Sequence, residues 1–210
     1  VASIAKCLQD NVDYVKSVAV NALAQLKAKK YSRNIAQLLD NNSVDDDAMD
    51  ALVALNAQQY ALDLYPLLKT DPSEYHRKKI KEALTKLKAK EQAIARLESQ
   101  NVDERLVALN ILLLVGDIVE LDRVRPFLKD EDDRVKCAAI KLIGLSNNPA
   151  NASLIVEFLC DENVFVQRAT IEALGSLRAR QHALVVAPFL KNRKLAYVSI
   201  DALSSMEAAE

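Results

Sequence analysis

Residues 128–144 read LKDEDDRVKCAAIKLIG, and residues 159–175 read LCDENVFVQRATIEALG. The two stretches align without a gap: both have leucine first, aspartate third, valine eighth and glycine seventeenth, and they start 31 residues apart. A third copy, LQDNVDYVKSVAVNAL at residues 8–23, keeps the leucine, the aspartate and the valine. Self-similarity at a fixed period of about 20–50 residues is the signature of repeat architectures.

The leucine that opens these stretches marks an anchor that recurs through most of the chain. The anchors are Leu8, Leu39, Leu68, Glu98, Leu128, Leu159 and Leu190, with spacings of 31, 29, 30, 30, 31 and 31 residues. Seven residues after the anchor, four units carry a large apolar residue, which we expect to mark one shared position: Val15, Tyr75, Val135 and Val166.

Each unit is predicted to form two helices. After Leu159, the residues Val166, Ala169, Ala173 and Leu177 follow the three- and four-residue spacing of an amphipathic helix. A short break precedes the apolar run 183–187, which predicts a second helix packed between neighbours. Acidic and asparagine residues after each anchor are helix-start signals. They include Asp45 to Asp47, Asp71-Pro72 and Asp130 to Asp133.

Glycine and proline each recur at one position of the repeat. Gly144 and Gly175 share one position near the end of the first helix, where glycine commonly terminates helices. Pro66, Pro126 and Pro188 stand two residues before the anchor, where a packing bend is expected because proline removes a backbone hydrogen bond.

The repeat predicts an all-α fold, an α-solenoid of about six helix–turn–helix units with half a unit at each end. A helix pair cannot bury its apolar face alone, whereas stacked pairs can. We expect residues 1–210 to form one solenoid domain. Because neither end resembles a polar capping repeat, we also expect the chain to be a fragment of a longer protein, with a fused domain as one potential partner.

Composition narrows the function. The chain has 28 basic and 29 acidic residues, so nucleic-acid binding, which usually shows a basic excess, is not favoured. No apolar run reaches the roughly 20 residues of a membrane-spanning helix. The three cysteines form no C-x-x-C pair and are expected to be free thiols in a reducing compartment, which indicates a cytoplasmic protein.

The three best copies resemble the HEAT-like repeats first described in phycobilisome lyases. The shared pattern is leucine, aspartate two residues on, valine, then a helix with small and apolar residues, as in Leu128, Asp130, Val135, Ala139 and Leu142. The residue after the valine is lysine or glutamine where the usual motif has arginine, which leaves the polar ladder between repeats open. The resemblance implies a superhelix whose second helices line the concave face. It is nearly silent on function, because the superfamily contains scaffolds, adaptors and a few enzymes.

The resemblance directs the search for a site to the second helices. Their solvent-facing positions mix charges and hydrogen-bonding groups, as the polar part of a protein-binding surface does. The predicted partner-binding residues are Arg33, Gln37, Asp63, Gln92, Arg96, Asp122, Arg123, Ser153 and Glu157. We therefore expect a non-catalytic scaffold or regulatory module that binds another protein or a peptide.

Catalytic and metal chemistry find little support in the residues. His76 and His182 lie in different repeats, whereas such sites normally need several convergent groups. There is no His-Glu dipeptide of the kind used by the iron site of the deoxyhypusine hydroxylase branch, and no glycine-rich phosphate loop. The acidic runs lack EF-hand spacing. No catalytic residue, metal or cofactor is predicted, and a bilin-lyase-like enzyme is the alternative.

A basic run at residues 77–90 provides the other alternative. A patch of Arg77, Lys78, Lys81 and Lys88 could bind an anionic partner, such as an acidic protein, nucleic acid or lipid headgroups. The competing interpretation is a solvated outer face of a first helix.

Overall fold

The computed structural model describes residues 1–70, 73–116 and 121–207. Every regular element within these ranges is helical. Asp71 and Pro72, which the sequence places ahead of a first helix, lie outside the described residues. Across the described part of the chain, no helix is both long enough and apolar enough to cross a membrane.

The first helix of each unit is the longer one. These first helices are α2 (Asp13–Gln25), α4 (Asp45–Ala54), α6 (Glu74–Lys86), α8 (Val102–Val115), α10 (Asp133–Gly144), α11 (Val164–Ser176) and α13 (Ala196–Glu207). Four of them start after a side chain that accepts a backbone N–H group of the first turn: Ser73, Asn101, Asp132 and Asn163. These caps satisfy donors that a helix leaves unpaired. Among the predicted start signals, the run Asp130 to Asp133 is confirmed by the cap that Asp132 provides.

The second element of each unit is shorter and partly wound as 3₁₀ helix. The α-helical parts are α1 (Ala2–Lys6), α3 (Ser32–Ala36), α5 (Leu67–Thr70), α7 (Ala89–Arg96), α9 (Leu121–Val124) and α12 (Ala183–Val186). The 3₁₀ parts are Cys7–Gln9, Lys29–Tyr31, Gln58–Leu64, Arg125–Lys129, Pro149–Leu154, Val156–Cys160, Arg180–His182 and Ala187–Lys191. Pro126 and Pro188 stand in the first turn of a 3₁₀ segment, where a missing N–H costs little. At Pro126 and Pro188, the expected bend therefore takes the form of a change from α-helical to 3₁₀-helical winding.

The order of elements confirms the fold class. Within the described ranges, six first helices are each followed by a second element. The half unit formed by α1 and its 3₁₀ turn precedes them, and α13 follows them. The chain is an all-α protein of the α-solenoid class.

The chain divides into two compact units, Val1–Glu98 and Ser99–Glu210. In the first unit, α4 packs between α2 and α6; in the second, α8, α10, α11 and α13 pack in sequence. Their facing leucines, such as Leu84 and Leu174, are fully buried. Burying such a side chain contributes about 1.5–3 kcal/mol. That residues 1–210 form a single domain stays a prediction.

Each first helix that precedes a second element is followed, one to three residues after its end, by a link residue in the left-handed conformation. These link residues are Lys27, Asn56, Lys88, Gly116, Asn147 and Arg178, with φ between 50° and 71°. After Arg178, the N–H of Ala179 donates to the carbonyl of Leu174 and so satisfies an acceptor at the end of α11. The prediction that Gly144 and Gly175 terminate their helices was wrong, because neither has a positive φ.

Gly144 and Gly175 instead allow close packing between neighbouring first helices. A Cβ atom at Gly144 would lie 2.9 Å from the Cα of Ala173, and one at Gly175 would lie 2.7 Å from the Cα of Ala202. Side chains larger than hydrogen do not fit at these distances. The two glycines therefore set the spacing of α10, α11 and α13.

The third unit departs from the predicted register by one residue. Val135 and Val166 are the third residues of their helices and are fully buried. In α6 the third residue is His76, which is 8% exposed, while Tyr75 is 76% exposed. The assignment of Tyr75 to the valine position was wrong, because His76 follows Leu68 by eight positions in the sequence, whereas Val135 follows Leu128 by seven.

A polar ladder between repeats is present, with mixed residues. Arg105 and Lys136 occupy equivalent positions, and each reaches the aspartate after the next anchor: Arg105 lies 2.9 Å from Asp130 and Lys136 lies 3.5 Å from Asp161. Lysine thus takes the place of the usual arginine without loss of the contact.

Candidate binding faces

A groove opens in the second unit between consecutive second elements. Its volume is about 650 Å³, and it lies between the segment 122–129 and the segment 153–158. Three of the nine predicted partner-binding residues line it, namely Asp122, Ser153 and Glu157. The groove therefore brings these three predicted residues together, and their role in partner binding stays a prediction.

The groove combines an apolar floor with a polar rim. Pro126, Leu154 and Phe158 supply apolar surface. Asp122 has a 94% exposed side chain and lies 3.8 Å from Arg125. These exposed charges can pair with a ligand at little desolvation cost.

Two of the four predicted residues of this unit differ in their relation to the groove. The Ser153 hydroxyl, which lines the groove, donates to the carbonyl of Ala150 at 2.9 Å, so its oxygen can still accept a hydrogen bond. Arg123 is exposed but is not among the residues that line the groove.

The first unit holds the other five predicted residues. Arg33 and Gln37 are exposed on and just after α3. Asp63 is exposed overall, but its carboxyl group is partly desolvated, and this desolvation raises its pKa. The positive charge of nearby Arg96 opposes the shift. The structure therefore brings Asp63 and Arg96 into one electrostatic environment, as expected for neighbouring second elements.

Gln92 has a structural role that the sequence did not indicate. Its amide nitrogen donates to the carbonyl of Gln58 in the preceding unit and lies 3.5 Å from the carbonyl of Leu87. This hydrogen bond links α7 to the preceding unit. The side chain of Gln92 is therefore less available to a partner than those of Arg33 and Arg96.

The predicted basic patch lies on the outer surface of α6 and just beyond it. Arg77, Lys78 and Lys81 are exposed on the helix, and exposed Lys88 is the left-handed link residue before α7. Lys79, in contrast, lies 2.9 Å from Asp46 and 3.1 Å from Asp50. Burial opposes its charge, but these two carboxylates outweigh the burial and raise its pKa.

The aspartates of α4 connect helices rather than cap one. The residue before α4 is Val44, which makes no side-chain cap, so the predicted capping by Asp45 to Asp47 was wrong. Asp47 accepts from Ser17 and from Asn21 of α2. Being in the first turn, the carboxylates still complement the helix dipole.

His76 completes this junction between α4 and α6. Its Nε2 atom lies 3.8 Å from Asp45 and its Nδ1 atom 3.6 Å from Asp46. Burial raises the pKa of Asp45, while the nearby His76 opposes that shift. Within the described residues, no group of three or more histidine, cysteine or acidic side chains is arranged to hold a metal ion.

Exposed aromatic residues recur at one helix position that the sequence did not reveal as a surface feature. The second residue of four first helices is an aromatic with most of its surface in solvent: Tyr14 at 77%, Tyr75 at 76%, Phe165 at 70% and Tyr197 at 84%. The sequence signal that could have identified them is their position, directly before the third residue of the helix.

The geometry defines a solenoid of helix pairs with candidate binding surfaces on both its first- and second-element faces. Residues 121–207 match the family model of HEAT repeats. This part of the chain is therefore similar to HEAT repeats, which confirms the predicted resemblance.

Solved structures agree with that fold. YIBA of Escherichia coli is 15% identical with a TM-score of 0.57, covering 99% of this chain and 81% of that chain. An engineered protein is 15% identical with a TM-score of 0.52, covering 99% and 98%. The CpcE–CpcF complex of phycocyanin lyase from Nostoc is 18% identical with a TM-score of 0.40, covering 99% and 93%. These likenesses concern the fold alone, and the last is too weak to carry an argument. No curated protein matches the chain.

Proposed function

We propose that this chain is a non-catalytic interaction scaffold or regulatory module that binds another protein or a peptide through its second-element face. The observation that carries the proposal is the groove of the second unit, where Asp122, Ser153 and Glu157 surround an apolar floor. An apolar centre inside a polar, solvent-accessible rim is the usual anatomy of a protein-binding surface.

The dimensions of the groove suit a peptide segment. Its 650 Å³ is enough for two or three side chains of a partner, within the range of about 300–1,000 Å³ typical of ligand sites. Leu154 and Phe158 offer apolar contact, while the rim carries Asp122 and Glu157 together with Arg125 and Lys129, so it can pair with charges of either sign. A short segment with apolar anchors and charged flanking residues fits this arrangement.

Peptide selection tests the proposal directly. Displayed random dodecapeptides are selected against the chain, and the Kd of the enriched peptides is measured by fluorescence anisotropy. Ser153→Trp fills the groove and should weaken binding at least tenfold, since it denies the peptide the apolar floor. Glu157→Lys should weaken peptides with basic flanks by a smaller factor, because rim charges contribute less.

The matched control is Glu162→Lys, which makes the same charge change at an exposed residue that does not line the groove. Its Kd should stay within about twofold of the parent. Undiminished binding to Ser153→Trp would show that the selected peptides bind elsewhere and would overturn the proposed face.

A further inference from the structure

The second-element face changes character from one repeat of the second unit to the next. Asp122, Ser153 and Leu184 each stand six residues before the anchor of their repeat. The residue two positions further on is fully buried in all three repeats, namely Val124, Ile155 and Val186. The three second elements therefore share one register, and Leu184 holds the position that Asp122 and Ser153 hold in the groove.

This change leaves apolar side chains in solvent beside the groove. Leu184 is 87% exposed and Val185 is 48% exposed. The side-chain amide nitrogen of Gln181 donates to the carbonyl of Pro149 at 3.4 Å, which joins their element to the one that carries Ser153. Exposed apolar side chains that cluster next to polar residues mark an interaction surface.

The charge of the face also changes sign between these two repeats. Residues 147–163 contain three acidic and no basic residues, whereas the equivalent residues 178–194 contain five basic and no acidic ones. The five exposed cations are Arg178, Arg180, Lys191, Arg193 and Lys194. Lys191, Arg193 and Lys194 form no ion pair with another described residue, so their charge is available to a partner.

Helix stability accounts for only part of this charge. Arg178 and Arg180 follow the C-terminal end of α11, where cations complement the helix dipole. Arg193 and Lys194 instead precede α13, at the positive end of that helix. The residues equivalent to Lys194 are Asp132 before α10 and Asn163 before α11. Two cations that oppose the dipole are expected of residues retained for a function.

Acidic residues of the neighbouring elements do not cancel the positive charge. Glu172 and Asp201 line a groove between the first helices α11 and α13. Asp161 lies 3.5 Å from Lys136. The other acidic residues of α13 and of the segment 147–163 are Glu157, Glu162 and Glu207. Three negative charges against five positive ones leave the surface around Leu184 basic.

We propose that the partner segment bound in the groove continues over residues 180–194, where it places one apolar side chain on Leu184 and Val185 and acidic side chains beside Arg193 and Lys194. This binding mode depends on the proposed function and adds to it the sign of the flanking charges. Adjacent helices pack about 8–10 Å apart, which an extended peptide covers in about three residues. The second apolar side chain is therefore expected three residues from the one in the groove, with the carboxylates beyond it.

Three labelled peptides test this binding mode by fluorescence anisotropy. The acidic peptide is Trp-Gly-Gly-Leu-Glu-Glu-Glu, the basic peptide has lysine in place of glutamate, and the serine peptide has serine in place of leucine. Each is also made with the reverse sequence, because either chain direction fits, and the tighter direction is compared. The acidic peptide should bind at least tenfold more tightly than each of the other two.

Two variants separate the apolar contact from the charge. Leu184→Ser should remove the preference for the acidic peptide over the serine peptide. Arg193→Glu combined with Lys194→Glu should make the basic peptide bind more tightly than the acidic one. This charge variant should be at least as stable to urea as the parent, because glutamates complement the positive end of α13, so its change in binding does not come from unfolding.

Matched control variants lie in the first unit. Leu26→Ser removes an exposed leucine, and Lys78→Glu combined with Lys81→Glu makes the same change in net charge at two exposed lysines. Each control should change the Kd of the acidic peptide by less than about twofold. Equal losses from the two charge variants would show that net charge alone controls binding and would contradict the proposal.

Ser153→Trp distinguishes failure of this binding mode from failure of the proposed function. If it weakens all three peptides while the parent binds the three equally, the groove is used and residues 180–194 are not, which overturns only the present proposal. Binding of the acidic peptide that ignores Ser153→Trp, or no binding at millimolar peptide, would overturn both. Phosphatidylserine vesicles or a second copy of the chain that bind more tightly than the acidic peptide, and are lost with Leu184→Ser, would replace the acidic segment as the occupant.

Discussion

The junction between α4 and α6 in the first unit and the junctions among α10, α11 and α13 in the second join first helices by opposite means. In the second unit, Gly144 and Gly175 let the neighbouring helix approach until no Cβ atom fits. In the first unit, His76 and Lys79 of α6 meet the carboxylates of α4. One repeat plan therefore tolerates tight apolar contact at some junctions between first helices and a layer of charges at another.

The difference shows what each junction depends on. Contact through glycine and alanine depends on volume and is insensitive to pH. The charged junction depends on protonation, because it contains a buried aspartate, a buried histidine and a partly buried lysine. Substitutions that alter size should therefore act mainly on the second unit, and changes of charge mainly on the first.

Gly175→Val should have the largest effect on the free energy of unfolding. A Cβ atom there would lie 2.7 Å from the Cα of Ala202, so α11 and α13 must separate. Overpacking of this kind costs about 3 kcal/mol, measured by urea denaturation. Gly175→Ala combined with Ala202→Gly should recover part of the smaller loss caused by Gly175→Ala alone.

The control for this prediction is Thr85→Val in α6, the twelfth helix residue, as Gly175 is in α11. Thr85 is exposed, so its substitution should change the free energy of unfolding by less than about 0.5 kcal/mol. Equal losses at the two positions would contradict the contrast between the junctions.

His76→Val should have the next largest effect. Valine is the residue that the better repeats have at this position, but the change leaves buried Asp45 without its imidazole neighbour. A loss of about 1–3 kcal/mol is expected at pH 7 in the same denaturation measurement. The double variant His76→Val with Asp45→Ala should recover most of it, since apolar replacement of a whole buried pair is often neutral. Additive losses would argue against coupling of the two side chains.

The sequence predicted the fold well because its signals are local. The anchors at Leu128 and Leu159, the periodic apolar residues and the capping asparagine Asn163 act within one or two turns of helix. The spacing of about 30 residues then fixes the number of units. Second-element positions such as Asp122, Ser153 and Glu157 also followed from the repeat register.

The errors all involve contacts between repeats or a change of register. One additional residue between Leu68 and the third position of α6 exchanged the positions of Tyr75 and His76, which periodicity alone does not reveal. Gly175 looks like a helix terminator in sequence, whereas its close neighbour Ala202 is 27 residues away. Asp47 looks like a cap, but its donors Ser17 and Asn21 belong to the preceding first helix.

Asp132→Ala should have a moderate effect on the free energy of unfolding, and the effect should depend on pH. Hydrogen bonds from Arg134 hold the pKa of Asp132 at about 2. Because this pKa lies below the unfolded value, the carboxylate stabilises the fold above about pH 4, and that contribution is lost as the pH falls towards 2. Loss of the cap should cost about 1 kcal/mol at pH 7. Thermal unfolding should show a smaller difference at pH 2.5 than at pH 7.

Asp45→Asn should have the smallest effect on the free energy of unfolding, and it should increase rather than decrease stability. Burial raises the pKa of Asp45, so its ionised form destabilises the fold at neutral pH, and protonation relieves the penalty as the pH falls through that raised pKa. The variant should be more stable than the parent at pH 7 by less than about 1 kcal/mol, and equal to it below about pH 3.5. A stabilisation that persists unchanged in acid would contradict this explanation.

Position-resolved photo-crosslinking tests whether a partner protein binds the second-element face. The photoreactive residue p-benzoylphenylalanine replaces Ser153 in the groove of the second unit or, as the matched position, exposed Ser176 at the end of α11. After irradiation in source-cell lysate, one discrete adduct is expected from position 153 and none of the same mass from position 176. The same adduct from position 176 alone, or adducts of equal yield from both, would contradict a binding site on the second elements.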